Sequence, residues 1–303
     1  MTWDSRQLAA LAAVVTEGSF DAAARALHVT PSAVSQRIRA LENAAGSVLV
    51  QRTRPVAPTR TGQVLLRLAR QVELLGADTA SELGGRDEPG PVTVPLAVNA
   101  DSLATWVMPA LAAVDGVCVD LTIANQDRTV ELLPAGAVMA AITSVREPVQ
   151  GCTSVPLGVM RYRPAAAPSL VRRWFADGPT VEALGVAPVV LFDRHDDLQD
   201  RWLRERAAAA AVDVPVPPRH HVPSTAEYLE AIRLGLGWGM WGPLPRPGSA
   251  VGPPAGDVVL LDDDTVVDVV LYLQQWKLRS ATLARVTAAL REAAADFLYP
   301  LPH

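Results

Sequence analysis

Apolar residues recur at the spacing of a helix face along the first 45 residues of the chain. This periodicity predicts a first helix over residues 4–18, a second over residues 20–27 and a third over residues 31–45. Ser19 and Thr30 are residue types that cap helix starts, and each stands immediately before one of the later predicted helices. Short helices joined by tight turns in this way are typical of a helix-turn-helix unit.

The third predicted helix divides into two faces. Its aliphatic face consists of Val34, Ile38, Leu41 and Ala45. Its polar face consists of Ser32, Ser35, Gln36 and Arg39, with Arg37 beside them. Such a polar face can enter the major groove of DNA, where Gln pairs with adenine and Arg pairs with guanine. Taken alone, the pattern is equally typical of an ordinary solvated helix.

A basic hairpin is predicted after the third helix. Residues 48–50 and the segment that ends at Thr59 have the pattern of two short strands, and Arg52 and Arg54 fall in the turn between them. From that position both side chains would reach DNA phosphates and add salt-sensitive affinity. The charge distribution agrees, because residues 1–70 hold nine Arg and four acidic residues although the whole chain has a formal net charge of -5.

The order of residues in this region resembles a known family. The stretch from Phe20 to Glu42, FDAAARALHVTPSAVSQRIRALE, resembles the signature helix-turn-helix of LysR-type transcriptional regulators. The continuation to Gly62 is similar to the wing of that family and the start of its linker. Pro58 departs from the family, which usually has Leu at this position. The resemblance implies a winged helix-turn-helix domain over residues 1–61.

The resemblance also implies partners and contact residues. The expected partners are double-stranded DNA with an interrupted inverted-repeat operator, further copies of the chain in a dimer or tetramer, and RNA polymerase, with no membrane among them. Together with the helix and hairpin patterns, it predicts DNA contacts by eight side chains: Thr30, Ser32, Ser35, Gln36, Arg37, Arg39, Arg52 and Arg54. The polar face of the third helix would read bases, and the hairpin would hold phosphates.

A heptad pattern follows the hairpin. Residues 62–90 are predicted to form a long linker helix and a flexible hinge, since Gly and Pro are concentrated from Gly84 to Pro91. The apolar seam of this helix consists of Leu65, Leu68, Val72, Leu75 and Thr79. Spacings of three and four favour a partner helix, so we expect a dimerisation helix. The alternative is a helix that packs against its own domain.

From residue 91 onward, short apolar strands alternate with amphipathic helices. The predicted strands cover residues 92–98, 117–124, 138–143, 188–192, 220–222, 258–261 and 266–273. The predicted helices cover residues 102–114, 128–133, 228–234 and 280–297. Repeated strand–helix–strand units predict an α/β domain with mostly parallel strands.

The resemblance extends to the architecture of this second region. LysR-type effector domains are similar to two-lobed periplasmic binding proteins with a ligand cleft between the lobes. This similarity places one lobe at residues 91–160 and 265–303 and the other at residues 161–264. The whole chain is therefore expected to be multidomain, with a winged helix-turn-helix, a long linker helix and a two-lobed α/β effector domain.

Polar side chains follow the ends of several predicted strands, where ligands bind in α/β sheets. The candidate effector-binding residues are Asn99, Asp101, Ser102, Asn125, Asp127, Thr143, Ser144, Asp193 and Asp196. Several carboxylates in one cleft would select a cation, and the helix that starts at Ser102 would favour a carboxylate. Both properties together describe a basic amino acid. Each of these polar residues could instead be only a helix cap.

Two segments resemble one branch of the family. Residues 99–106 and 192–197 look like the ArgP/LysG-like regulators, which respond to lysine or arginine and control genes for basic amino-acid export. Residues 133–136, Leu-Pro-Ala-Gly, depart from that branch, which tends to have a charged pair before the Gly. The resemblance implies a lysine or arginine effector and no cofactor, and leaves open which carboxylate binds the side-chain cation. An aromatic or organic-acid effector is the alternative.

Other functional classes lack their signatures in this sequence. The five His and two Cys show no metal-ligand spacing, and no phosphate-binding loop or nucleophile elbow occurs, so we expect neither a metal site nor catalytic residues. A transport-type binding module would fit the second region but not the basic N-terminal region. Two distant Cys, no leader pattern and no apolar run of membrane-spanning length favour a reduced cytoplasmic location.

Overall fold

The chain divides into two compact units. The computed structural model describes residues 2–83, 92–124, 129, 131–252, 254 and 256–301. The first unit comprises Met1–Asn99, Leu111–Val155 and Tyr272–Ala289. The second unit comprises Ala100–Ala110, Pro156–Leu271 and Leu290–His303. The N-terminal helices, the linker helix and part of the α/β region therefore belong to the same unit.

The first unit begins with a helical head, residues 2–58, followed by a linker helix. The elements are α1 (Ser5–Glu17), α2 (Phe20–Ala26), α3 (Pro31–Ala45), β1 (Val50–Gln51), β2 (Ala57–Pro58) and the linker helix α4 (Arg60–Glu82). The expected caps are present, because the Ser19 hydroxyl accepts a hydrogen bond from the Ala22 N–H and the Thr30 hydroxyl accepts one from the Ala33 N–H. The three short helices and the hairpin predicted from the sequence are confirmed.

One apolar cluster holds the head and the start of α4 together. Its buried members come from every helix of the head, the hairpin and α4, and include Leu11, Ala23, Ile38, Val50 and Leu66. The approach of α4 to the hairpin depends on Gly62, since a Cβ at this position would lie 1.9 Å from the Leu49 carbonyl oxygen. Any side chain at residue 62 would therefore push α4 away from the hairpin.

The linker helix α4 has one buried side and one exposed side. Leu66 and Leu74 are buried, whereas Val72 and Leu75 are each 39% exposed. Leu65 was predicted in the partner-facing seam, and that part of the prediction is wrong because Leu65 packs in the head core. The exposed part of the seam therefore lies further along the helix, where the head no longer covers it.

The remaining elements form the α/β body, residues 92–301. Its strands are β3 (Val92–Val98), β4 (Val117–Ile123), β5 (Ala140–Thr143), β6 (Cys152–Ala166), β7 (Val189–Leu191), β8 (Arg219–His221), β9 (Gly239–Leu244), β10 (Val259–Leu260) and β11 (Val267–Trp276). Its first helical stretch consists of α5 (Ala100–Ser102), a π-helical segment (Leu103–Val107) and α6 (Met108–Ala112). Its other helices are α7 (Pro168–Trp174), α8 (Val181–Val186), α9 (Leu198–Ala210), α10 (Thr225–Arg233) and α11 (Ala281–Phe297).

Parallel and antiparallel pairings are mixed in both units. In the first unit, β3 pairs in parallel with β4 and β5, and the end of β11 pairs antiparallel with β5. In the second unit, β6 pairs antiparallel with β9 and β10, and β7 pairs in parallel with β8. The prediction of mostly parallel strands is therefore wrong in part. The connections between these antiparallel partners, β5 to β11 and β6 to β9 and β10, each contain several helices and strands. They are therefore not the single helical crossovers that join parallel strands and that the strand–helix–strand pattern assumed.

Some other predicted elements also differ in the structure. The sequence pattern did not indicate β9 or the full 15-residue length of β6. Within the helix predicted over residues 128–133, residues 129, 131 and 132 are helical, and residues 128 and 130 lie outside the described residues. In the part of the chain that the structure describes, no helix is long and apolar enough to cross a lipid bilayer.

Candidate functional site

The polar face predicted on α3 is on the outside of the head. Ser32, Gln36 and Arg39 are exposed, and Ser35 and Arg37 are half-buried beside them. The aliphatic side chains of the opposite face are 2% exposed or less, namely Val34, Ile38 and Leu41. Helix α3 therefore presents hydroxyl, amide and guanidinium groups outward, as the reading of base edges in a major groove requires.

Thr30 fixes the start of α3. Its hydroxyl oxygen accepts a hydrogen bond from the Ala33 N–H at 3.2 Å and lies 3.1 Å from the Ser32 hydroxyl oxygen. Pro31 occupies the first turn, where its missing N–H leaves no helical bond unmade. Thr30 therefore sets the direction in which the polar face of α3 points, in addition to the DNA contact predicted for it.

The hairpin carries its two Arg side chains at an exposed tip. Arg52 and Arg54 are both exposed and lie between the paired strands β1 and β2. The Leu49 N–H, just before β1, donates a hydrogen bond of 2.9 Å to the Glu42 carboxylate of α3. This bond ties the hairpin to α3, so the polar face and the basic tip keep a fixed geometry.

A groove of about 250 Å³ lies where α2, α3 and the hairpin meet. It is lined by Gly18, Ser19, Phe20, Asp21, Ser35, Arg52, Thr53, Arg54 and Val56. The Arg52 guanidinium lies 5.9 Å from the centroid of the Phe20 ring, within the range of a cation–π contact. The groove thus connects the polar face of α3 with the arginines of the hairpin. Phe20 is a member of this surface that the sequence analysis did not include.

In the second unit, the half-buried residue Asp101 places a desolvated carboxylate at the start of a helical stretch. Asp101 lies in α5, and its two oxygens accept hydrogen bonds from the Tyr162 hydroxyl (2.6 Å) and the Thr225 hydroxyl (2.9 Å). The next residue, Ser102, is fully buried. Tyr162 belongs to β6 and Thr225 to the first turn of α10. Both donors are uncharged, so neither balances the negative charge of Asp101.

Two carboxylates of the second unit interact electrostatically. Burial raises the pKa of Asp101, although the hydrogen bonds from Tyr162 and Thr225 act in the opposite direction. Burial also raises the pKa of Asp196, and the negative charge of Asp101 adds to this increase. The negative charge of Asp101 therefore disfavours the ionised form of Asp196, and a cation placed near either carboxylate would favour its ionised form.

The acidic residues after β7 organise their own loop. Asp196 accepts hydrogen bonds from the Phe192 N–H (2.8 Å) and the Leu198 N–H (3.2 Å). Asp193 accepts hydrogen bonds from the N–H groups of His195 (2.7 Å) and Asp196 (3.0 Å). Asp193 therefore acts as a turn residue in this structure. Asp196 combines the loop contacts with its electrostatic interaction with Asp101.

Three of the other candidate effector residues belong to the first unit. Thr143 is buried, and its hydroxyl accepts a hydrogen bond from the Val145 N–H at 3.2 Å. Asn99 and Ser144 are half-buried and directly follow β3 and β5. Two candidates lie outside the described residues, namely Asn125 and Asp127. Within the described ranges, no group of His, Cys, Asp or Glu could hold a metal ion.

The structure adds aromatic, hydroxyl and amide groups that the sequence analysis did not include. Tyr162 and Thr225, which bind Asp101, stand 61 and 124 positions from it along the chain. Tyr228 is buried, and its hydroxyl accepts a hydrogen bond of 2.9 Å from the Gln199 side-chain amide. No local spacing could indicate these groups, because they approach the two carboxylates only through the fold.

Two protein-family descriptions match this chain. "Bacterial regulatory helix-turn-helix protein, lysR family" matches residues 5–63, and "LysR substrate binding domain" matches residues 92–295. The first match spans the head and the start of α4, and the second spans nearly all of the α/β body. Together they cover the surface formed by α3 and the hairpin as well as the buried carboxylates.

Similar proteins agree with these matches along nearly the whole chain. The lysine export transcriptional regulatory protein LysG of Corynebacterium glutamicum is 43% identical over 299 residues, which are 97% of this chain and 99% of that protein. The crystal structure of ArgP from Mycobacterium tuberculosis is 42% identical, with a TM-score of 0.81 and coverage of 99% and 100%. Full-length LysG from Corynebacterium glutamicum with bound effector Arg is 38% identical, with a TM-score of 0.70 and coverage of 98% and 100%.

These matches agree with the geometry of both regions. The helix-turn-helix is a DNA-binding domain, and the family it belongs to regulates transcription rather than catalysing reactions. The α/β body is the domain type that binds small effectors in this family. The chain belongs to the LysR family of transcriptional regulators, in the group whose members are named LysG and ArgP.

Proposed function

We propose that this regulator binds a basic amino acid, lysine or arginine, and controls a gene for basic amino-acid export. The observation that carries the effector class is the buried Asp101 carboxylate, which is hydrogen-bonded by the uncharged hydroxyls of Tyr162 and Thr225. A buried anion that has no cationic partner among its hydrogen-bond donors is stabilised when a cationic ligand binds. Lysine and arginine supply such a group.

Asp196 strengthens the preference for a cation. Its negative charge interacts with that of Asp101 in a poorly solvated part of the second unit. Charge interactions are stronger there than in water, so two nearby carboxylates would repel an organic acid and attract an ammonium or guanidinium group. An anionic effector is therefore the weaker alternative for this site.

The names of similar proteins support the same effector class. The Corynebacterium glutamicum relative is named for lysine export, and the solved LysG structure contains the effector Arg. A guanidinium can donate two parallel hydrogen bonds to a carboxylate, which suits a site built around aspartates. Lysine would place a single ammonium at the same position.

We assign the DNA contacts of this chain to two parts of the head. The exposed Gln36 and Arg39 of α3 are placed to read base edges, together with Ser32, Ser35 and Arg37 of the same helix. The exposed Arg52 and Arg54 of the hairpin are placed to hold phosphates. This division predicts different mutant behaviour for the helix and for the hairpin.

The linker helix α4 supplies a surface for a second copy of the chain. Val72 and Leu75 lie on its exposed side, and apolar side chains at this spacing are stabilised by a partner helix. A dimer formed there would bring two copies of α3 to successive major grooves, about 34 Å apart. We propose that dimers, paired as a tetramer, act on an interrupted inverted repeat in the cytoplasm together with RNA polymerase.

Matched pairs of amino acids test the effector class. Titration calorimetry of the full chain compares lysine with norleucine and arginine with citrulline, so that each pair differs in side-chain charge. We expect lysine or arginine to bind, and its neutral analogue to bind more weakly by about tenfold or more, because charge-assisted hydrogen bonds are lost. Equal affinity within both pairs would contradict the proposal. Binding of benzoate in place of the basic amino acids would support the anionic alternative.

A charge-removing substitution tests the role of Asp101 itself. Asp101→Asn keeps the size of the side chain but removes its charge, and we expect the affinity for the basic amino acid to fall by about ten- to a hundredfold. Asp200→Asn is the matched control, because Asp200 lies at the surface of the same unit and pairs with Arg219 at 2.7 Å. Wild-type affinity in Asp101→Asn would exclude this carboxylate from the effector site.

A further inference from the structure

One arginine of the linker helix touches the head and the body at the same time. Arg70 of α4 is only 8% exposed. Its Nη1 donates hydrogen bonds to the carbonyl oxygens of Gly136 (2.6 Å) and Ala137, and its Nη2 donates one to the Thr16 hydroxyl (3.3 Å). Thr16 belongs to α1 of the head, whereas Gly136 and Ala137 belong to the body. Three segments of the first unit that are distant in sequence therefore meet at one guanidinium.

The turn that receives Arg70 is firmly attached to both the body and the linker helix. Leu133, at its start, is fully buried, and its carbonyl oxygen accepts a hydrogen bond of 3.2 Å from the indole N–H of Trp276 in β11. Gly136 has a φ of +70°, and a Cβ there would lie 2.7 Å from the backbone nitrogen of Arg67 in α4. The turn therefore rests directly on α4 and is linked to β11.

The chemistry of Arg70 suits a role in holding segments together. Burial lowers the pKa of its guanidinium, while the negative charges of Asp120 and Glu73 act in the opposite direction. An apolar side chain would fill the same space without the cost of burying a charge. It could not, however, bind two carbonyl oxygens and a hydroxyl at once, as the planar five-donor guanidinium does. The side chain therefore fixes orientation as well as filling space.

A second polar contact fixes the linker helix further along. Asp78 accepts hydrogen bonds from the N–H groups of Ala281 (2.9 Å) and Thr282 (3.2 Å) and from the Thr282 hydroxyl (2.6 Å), and so caps the start of α11. Arg70 and Asp78 are eight residues apart, about 12 Å along a helix. Helix α4 is thus held to the body at two places, and the Arg70 contact also includes the head.

We propose that Arg70 is a positioning residue that couples the body to the DNA-binding head. A shift of β11 or of the Gly136 turn moves the guanidinium that also holds Thr16, and α1 carries α3 with it because both helices share the head core. The regulatory part of this inference rests on the proposed effector response. The mechanical part concerns the free protein and is tested without any effector.

Hydrogen exchange of the ligand-free full chain tests the mechanical part. Arg70→Met removes the donors but keeps an unbranched apolar side chain, and we expect about tenfold faster exchange both around Thr16 and at the Gly136 and Ala137 amides. Arg70→Lys should give intermediate rates, because an ammonium can still reach some of the acceptors. Faster exchange at only one of the two segments would overturn the proposal.

A substitution on the opposite side of the contact provides an independent variant. Gly136→Ala places a Cβ against the backbone of α4 and disfavours the backbone conformation of the turn, without altering either Arg70 or Thr16. We expect it to accelerate exchange around Thr16 as well. Unchanged exchange in α1 would show that the turn does not hold the head, and would overturn the proposal even if Arg70→Met failed to fold.

Operator binding with and without effector tests the regulatory part. The measured quantity is the ratio of operator affinities at saturating and at zero lysine or arginine, which we expect to differ from one by about fivefold or more in the wild type. Arg70→Met and Gly136→Ala should bring the ratio towards one, while calorimetric effector affinity stays within about threefold of wild type. A residue with a purely structural role would weaken binding without changing the ratio.

Arg285→Met is the matched control for this experiment. The Arg285 guanidinium also donates to a backbone carbonyl oxygen, that of Asp115 at 3.2 Å, but both residues lie in the body. This variant should keep the wild-type ratio, and an unchanged ratio in Arg70→Met would overturn the coupling role. If the wild type bound neither lysine nor arginine, the proposed effector would be wrong, and the hydrogen exchange result would still decide the role of Arg70.

Discussion

The proposed DNA-binding surface and the surroundings of the Asp101 carboxylate are assembled from residues at very different distances along the chain. The polar face of α3 lies within a single 15-residue helix, and Glu42 binds the hairpin only seven positions later. At Asp101 the hydrogen-bond partners Tyr162 and Thr225 are 61 and 124 positions away. A local surface keeps its shape as long as its helix persists. A dispersed site changes shape whenever the elements that carry it move, which is what an effector-responsive site requires.

The same two regions also differ in how they use charge. The head presents exposed guanidinium groups, whose interactions with a polyanion are individually weak and sensitive to salt. The second unit holds carboxylates that are buried, where each charge interaction is stronger and less screened. We therefore expect DNA affinity to depend on many replaceable contacts and effector affinity to depend on a few.

The largest expected effect is a loss of operator binding by the head, with effector binding by the body unchanged. A Cβ at Gly62 would lie 1.9 Å from the Leu49 carbonyl oxygen, so Gly62→Ala should separate the hairpin from α4. We expect operator affinity, measured by fluorescence anisotropy, to fall by more than about a hundredfold. The affinity for lysine or arginine in calorimetry should stay at the wild-type value, because the buried carboxylates lie in the other unit.

Gly76→Ala is the control for this variant. It places the same methyl group on the same helix, but nothing lies within 4 Å of a Cβ at that position. It should therefore bind operator like the wild type. Normal operator binding by Gly62→Ala would show that the head tolerates a separation of the hairpin from α4.

Substitutions within the head should separate base reading from phosphate binding. Gln36→Ala is expected to reduce discrimination at one base pair by about 1–3 kcal/mol, since the Gln amide can no longer pair with an adenine edge. Arg52→Ala should weaken binding to all sequences alike. It should also reduce the slope of the logarithm of affinity against the logarithm of salt concentration by about one. Anisotropy with the operator and with single-base variants, at two salt concentrations, measures both effects.

Two outcomes with Gln36→Ala and Arg52→Ala would contradict these assignments. If both variants kept full operator affinity and full sequence preference, neither the polar face of α3 nor the hairpin would contact DNA. If Gln36→Ala weakened all sequences equally, α3 would act as a phosphate-binding helix instead.

The head could be predicted closely because its signals are local. The helix predicted over residues 31–45 coincides with α3, and the one predicted over residues 4–18 corresponds to Ser5–Glu17. The assignment of Leu65 to the exposed seam failed for a physical reason. Periodicity identifies an apolar face of a helix, but it does not show which neighbour covers that face.

The surroundings of the buried carboxylates could be predicted only in part. The rule that ligands bind at strand ends selected Asp101 and Asp196. Tyr162, however, lies between two arginines in the middle of a long strand, and Thr225 resembles an ordinary residue of a first helical turn. Arg70 shows the same limit. Two of its three acceptors are backbone carbonyl oxygens, which every residue possesses, so no residue type marks the contact in the sequence.

The pH dependence of effector binding should distinguish the buried carboxylates from the exposed guanidinium groups. Burial raises the pKa of Asp101 and of Asp196, so part of each is protonated at pH values where an ordinary aspartate is ionised. The groups that face them, Tyr162, Thr225 and Tyr228, are uncharged in this range. A cationic effector binds the ionised form and releases a proton. Its affinity should rise with pH up to the raised pKa, by at most about tenfold per pH unit for each proton, and then level off.

Calorimetry from about pH 5 to about pH 8 in buffers of different ionisation heat measures this proton release. Asp101→Asn should flatten the profile, because the substituted side chain no longer titrates. Operator binding should not follow the same curve, since the DNA contacts proposed for α3 and the hairpin include neither of these carboxylates. An effector affinity that increases on acidification would contradict the proposed cation–carboxylate contact.

The smallest expected effect concerns Asp78, which joins the linker helix to the body. Burial acts to raise its pKa, but hydrogen bonds from Ser280, Thr282 and the Ala281 N–H outweigh burial and lower it. Its ionised form therefore stabilises the fold at neutral pH, and this contribution is lost as the pH falls below the ordinary aspartate range through the lowered pKa. Asp78→Asn should reduce stability by about 1 kcal/mol at neutral pH, because both carboxylate oxygens accept hydrogen bonds and the amide nitrogen that replaces one of them cannot accept.

Thermal unfolding near pH 7 and in acid checks the sign, because the difference between Asp78→Asn and wild type should shrink as the carboxylate becomes protonated. The same variant also sharpens the comparison with Arg70. Asp78 binds the start of α11 and makes none of the head contacts seen for Arg70. Its loss should therefore accelerate hydrogen exchange at Ala281 and Thr282 but not around Thr16. If exchange around Thr16 rose as much as in Arg70→Met, the head would be positioned by the whole linker helix rather than by the Arg70 guanidinium.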